Sequence, residues 1–232
     1  TNTPTRENIF NCINALVTMN HRAGFINGEG DGVGIHIDIP KVLWKEKLKK
    51  AGCNPELVEE EGFAVGHIFI NRQDDPQSIK KGLIEKLQNS NLEILFETDE
   101  VTNSSALGPI AIQENPVFWQ VALLSDITGQ ALSQKLFQLI VEIEKNDSVH
   151  VASLSQYHAV YKVMGAGDIL PKYYQDLANP LVASTMTLGH NRYSTNTLSS
   201  FNRVQPFSVL GHNGEINTIA KLRDEAKMIR VP

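Results

Sequence analysis

Apolar residues recur along this chain with two different periods. Ile9, Ile13, Leu16 and Val17 fall at helical spacing, so the first segment is expected to be a helix. Thr3 and Thr5, on either side of Pro4, are its start signals, and it should end near Asn20. Val33, Ile35, Ile37 and Ile39 alternate with Gly34, His36 and Asp38, which predicts a half-buried strand stopped by Pro40. Phe63–Ile70 is a second, almost wholly apolar strand. Asp75-Pro76 opens a short helix with Ile79, Leu83, Ile84 and Leu87 inward, and a strand follows at 92–96. This helix-then-strand unit resembles an insert. Val117–Leu124 reads as another strand, and Leu132, Leu136, Leu139, Ile140 and Ile143 mark an amphipathic helix. Segments 149–154 and 159–163 are expected to pair as a hairpin, with a loop-rich stretch at 165–180. Short strands are expected before His190 and at 207–210. Ile216, Ile219, Ala220, Arg223 and Ala226 suggest a terminal helix.

Helices and strands without steady alternation of the two argue for an α+β fold rather than a doubly wound sheet. At 232 residues, with 41% hydrophobic content, the chain fits one large domain or two small ones. No internal boundary stands out. A net charge of −5 gives no electrostatic footprint for nucleic acid. No apolar run is long enough to span a bilayer, and the first residues lack a signal-peptide core. Two cysteines, Cys12 and Cys53, are too few for a disulfide framework, so a reducing cytoplasm is expected.

Candidate chemistry gathers near the C-terminal end. The blocks His190-Asn191-Arg192-Tyr193-Ser194-Thr195-Asn196-Thr197 and His212-Asn213-Gly214-Glu215-Ile216-Asn217-Thr218 each set a basic or amide side chain among small residues. Arg192 offers a fork of donors to a carboxylate, or serves in a surface salt bridge. Asn213 and Gly214 offer a side-chain amide and an exposed N–H to an oxyanion, or form an Asn-Gly turn. Such a turn is itself how the Gly214 N–H becomes exposed. His190 and His212 have the chemistry of general bases. Gly30, Asp31, Gly32 and Gly34 precede a strand rather than opening a helix. Tight turning and close packing therefore explain them better than phosphate binding does.

The two blocks, with Gln205-Pro206-Phe207 between them, resemble the glutaminase domain of glutamate synthase, a class II amidotransferase of the N-terminal-nucleophile type. His21-Arg22-Ala23-Gly24, Gly30-Asp31-Gly32-Val33-Gly34-Ile35 with Pro40, Ser153-Leu154-Ser155, Val160-Tyr161-Lys162 and Tyr174-Gln175-Asp176-Leu177 extend the likeness over most of the chain. The resemblance implies a four-layer αββα sandwich and a single domain over 1–232. The first strand and the C-terminal part of such a domain are expected to lie beyond those residues.

By the same likeness, Asn213 and Gly214 are the oxyanion hole. Arg192, aided by Thr195, holds the substrate α-carboxylate, and Arg22 lies near the nucleophile. Arg22 also suits a cation at a helix C-terminus. The family's base is the nucleophile's own α-amine, which leaves His190 and His212 structural and Tyr193 a packing residue. The segment after Ile219 departs from the family's usual pattern.

The implied nucleophile is an N-terminal cysteine, expected roughly eight residues before Thr1. Cys12 lies within the first helix, Cys53 lies in a polar loop, and Thr1 is out of register. The implied reaction converts L-glutamine to glutamate and ammonia, which a synthase domain or subunit transfers to 2-oxoglutarate. No cofactor or metal is expected in this domain. FMN and an iron–sulfur cluster belong to the synthase part, since two cysteines fall short of the roughly four such a cluster needs. The expected partners are L-glutamine and that synthase part, with no nucleic acid and no membrane. The rival reading is an inactive glutamine- or partner-binding module without the cysteine. An N-terminal-threonine hydrolase is a third.

Overall fold

The computed structural model describes residues 3–191, 199–208, 223–224 and 227–229. Helix α1 (Arg6–Thr18) is capped by Thr5, whose hydroxyl accepts from Asn8 N. A 3-10 turn, Met19–Arg22, follows it. The short strands β1 (Phe25–Ile26) and β2 (Glu29–Gly30) lead into β3 (Val33–Asp38), then α2 (Lys41–Lys50) and β4 (Phe63–Ile70). Next come α3 (Pro76–Asn89), β5 (Glu93–Thr98), α4 (Ala111–Glu114), β6 (Val117–Leu124) and α5 (Gly129–Ile143). The chain continues through β7 (Val149–Ser155), β8 (His158–Val163), α6 (Leu170–Tyr173), α7 (Gln175–Ala178) and β9 (Thr187–His190). Among the described residues no helix is long and apolar enough to cross a membrane.

The strands form antiparallel sheets, so the mixed α and β class expected from the pattern holds. The larger sheet has the order β5-β6-β4-β7 and the smaller β8-β3-β9, while β1 and β2 pair separately. Strand β4 is buried along its whole length because both of its faces are covered. Ala64, Ile68 and Ile70 meet Leu83 and Leu87 of α3 and Leu132, Leu136 and Leu139 of α5. On the other face Phe63 and Val65 pack with Trp44 and Leu48 of α2, and Phe69 joins the cluster of Val33, Ile35, Ile37 and Tyr161. Helix α1 adds Ile9, Ile13 and Leu16 to that cluster, while Val17 is exposed. Strand β5 is an edge of the larger sheet, paired with β6.

Two expectations are corrected. Strands β7 and β8 do not form a hairpin: β7 pairs with β4 and β8 with β3, in different sheets. Ser155 Oγ accepts from Tyr157 N at 3.0 Å and from His158 N at 3.4 Å, turning the chain out of one sheet into the other. Ser153 Oγ then accepts from Val160 N at 3.1 Å, a side-chain bond between the sheets. Phe207 and Ser208 are not in a strand, and 209–210 lie outside the described residues. Most of the expected terminal helix also lies outside them, although Arg223, Asp224, Lys227 and Met228 are helical.

A buried polar network joins the sheets. Asp176 Oδ2 accepts from Lys47 Nζ (2.9 Å), Gln120 Nε2 (2.8 Å) and Tyr161 OH (3.0 Å). Lys47 also donates to Gln120 Oε1 at 2.6 Å. His67 donates Nδ1–H to Val160 O at 2.9 Å, which leaves Nε2 to accept from Gln120 at 3.0 Å. That tautomer is neutral, and burial pushes the His67 pKa down to about 4.

Removing one partner of a buried ion pair strands the other charge. Lys47→Met is expected to destabilise the fold by about 3–5 kcal/mol, read by urea denaturation. The His67 shift sets a pH dependence. Between its ordinary value of 6.5 and about 4 the unfolded chain binds a proton that the folded chain refuses. Stability is therefore complete above that window and falls as pH drops through it, by on the order of 3 kcal/mol. His67→Phe should flatten this fall in urea titrations; an unchanged slope would contradict the assignment.

Candidate active site

One end of β3 gathers most of the singled-out segments that are described. Arg22 closes the 3-10 turn after α1 and is exposed. Gly24 O, just beyond it, accepts from Asp31 N at 2.9 Å, so the Arg22 turn is tied to the start of β3. Ser199 Oγ donates to Asp31 O. His190 ends β9 and lies opposite Gly34 of β3. Asn191 donates Nδ2–H to Leu16 O at 2.8 Å, which fixes the start of the Arg192 block to α1. Asp31 is buried.

Residues 199–208, between the two candidate blocks in sequence, form a strap that runs from Asp31 at this end of β3 to His158, opposite Asp38, at the other. Phe201 is buried and meets Phe69 and Tyr173 edge-on or tilted. Phe201 N donates to Glu114 Oε2 at 3.1 Å. His158 Nε2 and Ser208 Oγ lie 2.8 Å apart, where the strap leads toward the Asn213 block. His158 stacks on His36, with ring centroids 4.5 Å apart, and burial pushes its pKa down to about 4.

The glycine-rich start of β3 is what lets the strap approach. A Cβ on Gly32 would fall 2.6 Å from Val204 Cγ2. On Gly34 it would fall 2.4 Å from Gln205 O and 2.9 Å from Lys162 Cβ. Close backbone packing was the expectation for these glycines, and the structure agrees.

Of the proposed site residues, Arg22 alone is described. Arg192, Thr195, Asn213 and Gly214 lie outside the described residues, as do Thr1 and His212. Cys12 is half-buried, and burial raises its thiol pKa, which suits a packing residue rather than a thiolate. Cys53 donates its thiol to Leu95 O at 3.1 Å. A cavity of about 620 Å³ opens at the opposite end of β3, lined by Asp38, Pro40, Glu59 and Tyr157. Among the described residues of the singled-out blocks only Pro40 lines it. Among the described residues no cluster of His, Cys, Asp and Glu suits a metal.

The family model for class-II glutamine amidotransferases matches residues 1–228. The chain belongs to the class-II glutamine amidotransferases. Curated relatives of this amidotransferase agree. It is 31% identical over 227 residues to the ferredoxin-dependent glutamate synthase of Cyanidium caldarium, covering 91% of this chain and 14% of that protein. The chloroplastic ferredoxin-dependent enzyme of Oryza sativa subsp. japonica is 32% identical over 230 residues, 94% of this chain and 14% of the relative. The NADH glutamate synthase of Saccharomyces cerevisiae is 33% identical over 227 residues, 88% and 10%. The chain thus spans only a small part of these relatives' length.

The polar residues with the most contacts to explain, Lys162, Asp176 and Gln120, were not singled out as site residues. Lys162 and Asp176 fall in blocks that carry the likeness, and Gln120 interrupts an otherwise apolar strand. Gly34→Ala drives a methyl group into the strap, and overpacking of this kind costs about 1–3 kcal/mol. The expected result is a lowered midpoint in thermal or urea unfolding; wild-type stability would show that the strap does not press on Gly34.

Proposed function

We propose that residues 1–232 form a single glutaminase domain that hydrolyses L-glutamine to glutamate and ammonia as part of a glutamate synthase. The match of the class-II amidotransferase model over residues 1–228 carries this reading. The gathering of Arg22, Asp31, His190 and the start of the strap at one end of β3 supports it. On this reading the fold is a four-layer αββα sandwich, with α1 over the smaller sheet and α3 with α5 over the larger.

In the proposed reaction a cysteine thiolate at the mature N-terminus attacks the amide carbon of glutamine, and its α-amine carries the proton to the departing ammonia. The negative charge that develops on the amide oxygen is met by the Asn213 side-chain amide and the Gly214 N–H. Arg192 pairs with the α-carboxylate, Thr195 adds a hydroxyl, and Arg22 lies beside the thiol. Water then releases glutamate from the thioester. The ammonia passes to a synthase domain or subunit that aminates 2-oxoglutarate and carries FMN and an iron–sulfur cluster. A reducing compartment such as the cytoplasm suits the two free thiols, Cys12 and Cys53.

The test is steady-state glutamine hydrolysis by the intact gene product. Asn213→Ala should lower kcat by about 100- to 1000-fold with little change in KM. Arg192→Met removes a charge-assisted pair and should raise KM by about 10- to 100-fold. Wild-type protein that binds glutamine without releasing ammonia would favour an inactive binding module instead.

A further inference from the structure

Lys162 is fully buried in β8, directly across from Gly34. A buried ammonium is costly unless its donors are satisfied. Here Nζ donates to His150 Nε2 at 2.7 Å and to Asn202 O at 2.8 Å, and sits 5.0 Å from the centre of the Phe207 ring. His150 in turn presents Nδ1–H to Glu144 Oε1 at 2.6 Å. Glu144, His150, Lys162 and the Asn202 carbonyl therefore form one line running from the end of α5, through β7 and β8, into the middle of the strap. Both Asn202 and Phe207 belong to the strap, which joins the Arg192 block to the Asn213 block. Among the described residues, charged groups near this line include Glu114 on α4, bonded to Phe201 N, Asp147, which lines a cavity of about 260 Å³ with Asn202, and the exposed Arg203 next to Asn202 in the chain. The Tyr174 hydroxyl donates to the Lys162 carbonyl.

We propose that Lys162 is a positioning residue for glutamine hydrolysis: its ammonium ties Asn202 to the sheet and so fixes the course of the strap that joins the two candidate blocks in sequence. This rests on reading those blocks as the glutamine site. Lys162 touches no reacting atom; it acts through the strap. Burial draws its pKa down to about 7. Raising the pH through that value removes the charge and weakens the tie to Asn202.

The test compares Lys162→Met, Lys162→Arg and wild type in the intact protein, by amide-exchange protection and by glutamine hydrolysis against pH. In Lys162→Met, protection across 199–208 should fall by about ten-fold or more while that of Phe63–Ile70 is kept. Its kcat/KM for L-glutamine should fall about as much, and the alkaline limb near pH 7 should vanish. Lys162→Arg, which keeps a charged donor, should recover part of both. Unchanged strap protection in Lys162→Met, or an equal loss in the core and the strap with no recovery by arginine, overturns the proposal. If Lys162→Met fails to fold, His150→Leu removes one acceptor and should loosen 199–208 alone; wild-type protection there is equally contrary. Wild-type protein that does not hydrolyse glutamine would count against the functional reading, while the exchange data still decide whether Lys162 anchors the strap.

Discussion

The Asp176 carboxylate is the point on which the two sheets are fixed against each other. It is buried, and it collects donors from α2 (Lys47), from the larger sheet (Gln120) and from the smaller one (Tyr161). An apolar interface alone is tolerant of small slides, because dispersion contacts are weak one by one and non-directional. A carboxylate with fixed donors is not tolerant, since any slide leaves a buried charge short of a partner. His67 extends the constraint by bonding Val160 of the facing strand while receiving Gln120. The register between β4 and β8 is therefore specified by polar geometry as well as by packing.

That rigidity matters at the end of β3. The glycines at 32 and 34 bring the strap within contact of the sheet backbone, and the strap is bonded at Ser199, Phe201, Asn202 and Ser208. The bonds go to the segment leading into β3, to α4 and, twice, to β8, so the strap inherits its position from several parts of the inter-sheet arrangement. A catalytic constellation assembled from loops needs such a frame, because misplacement by about 1 Å can cost on the order of 100-fold in rate. The class-II amidotransferase family to which the chain belongs gives this frame its chemical meaning.

Much of the fold was legible. Strands β4 and β6 have the bounds read from the sequence, because burial on both faces leaves an almost continuous apolar run whose ends are plain. Helices α1, α3 and α5 were legible from one apolar face each. The pairing of β7 and β8 was not, since period tells that a segment is a strand but not which sheet receives it. Ser153 and Ser155 decided that through hydroxyl bonds to the turn and to Val160, which no hydrophobic pattern encodes. The interior network was visible as isolated polar letters, His67 and Gln120, inside apolar runs, and as Tyr161 and Asp176 inside blocks that carry the family likeness. The candidate site was legible through family likeness rather than through period, and of its residues Arg22 alone falls within the described structure.

The most direct test is a crystal structure of the intact protein with L-glutamate, the product of the proposed reaction. The account predicts density for the amino acid at the Arg22–Asp31 end of β3, with its α-carboxylate on Arg192 and its side-chain carboxyl toward Asn213 and Gly214. Glutamate bound instead in the cavity beside Asp38 and Tyr157, with the Arg192 and Asn213 blocks remote from it, would contradict the account.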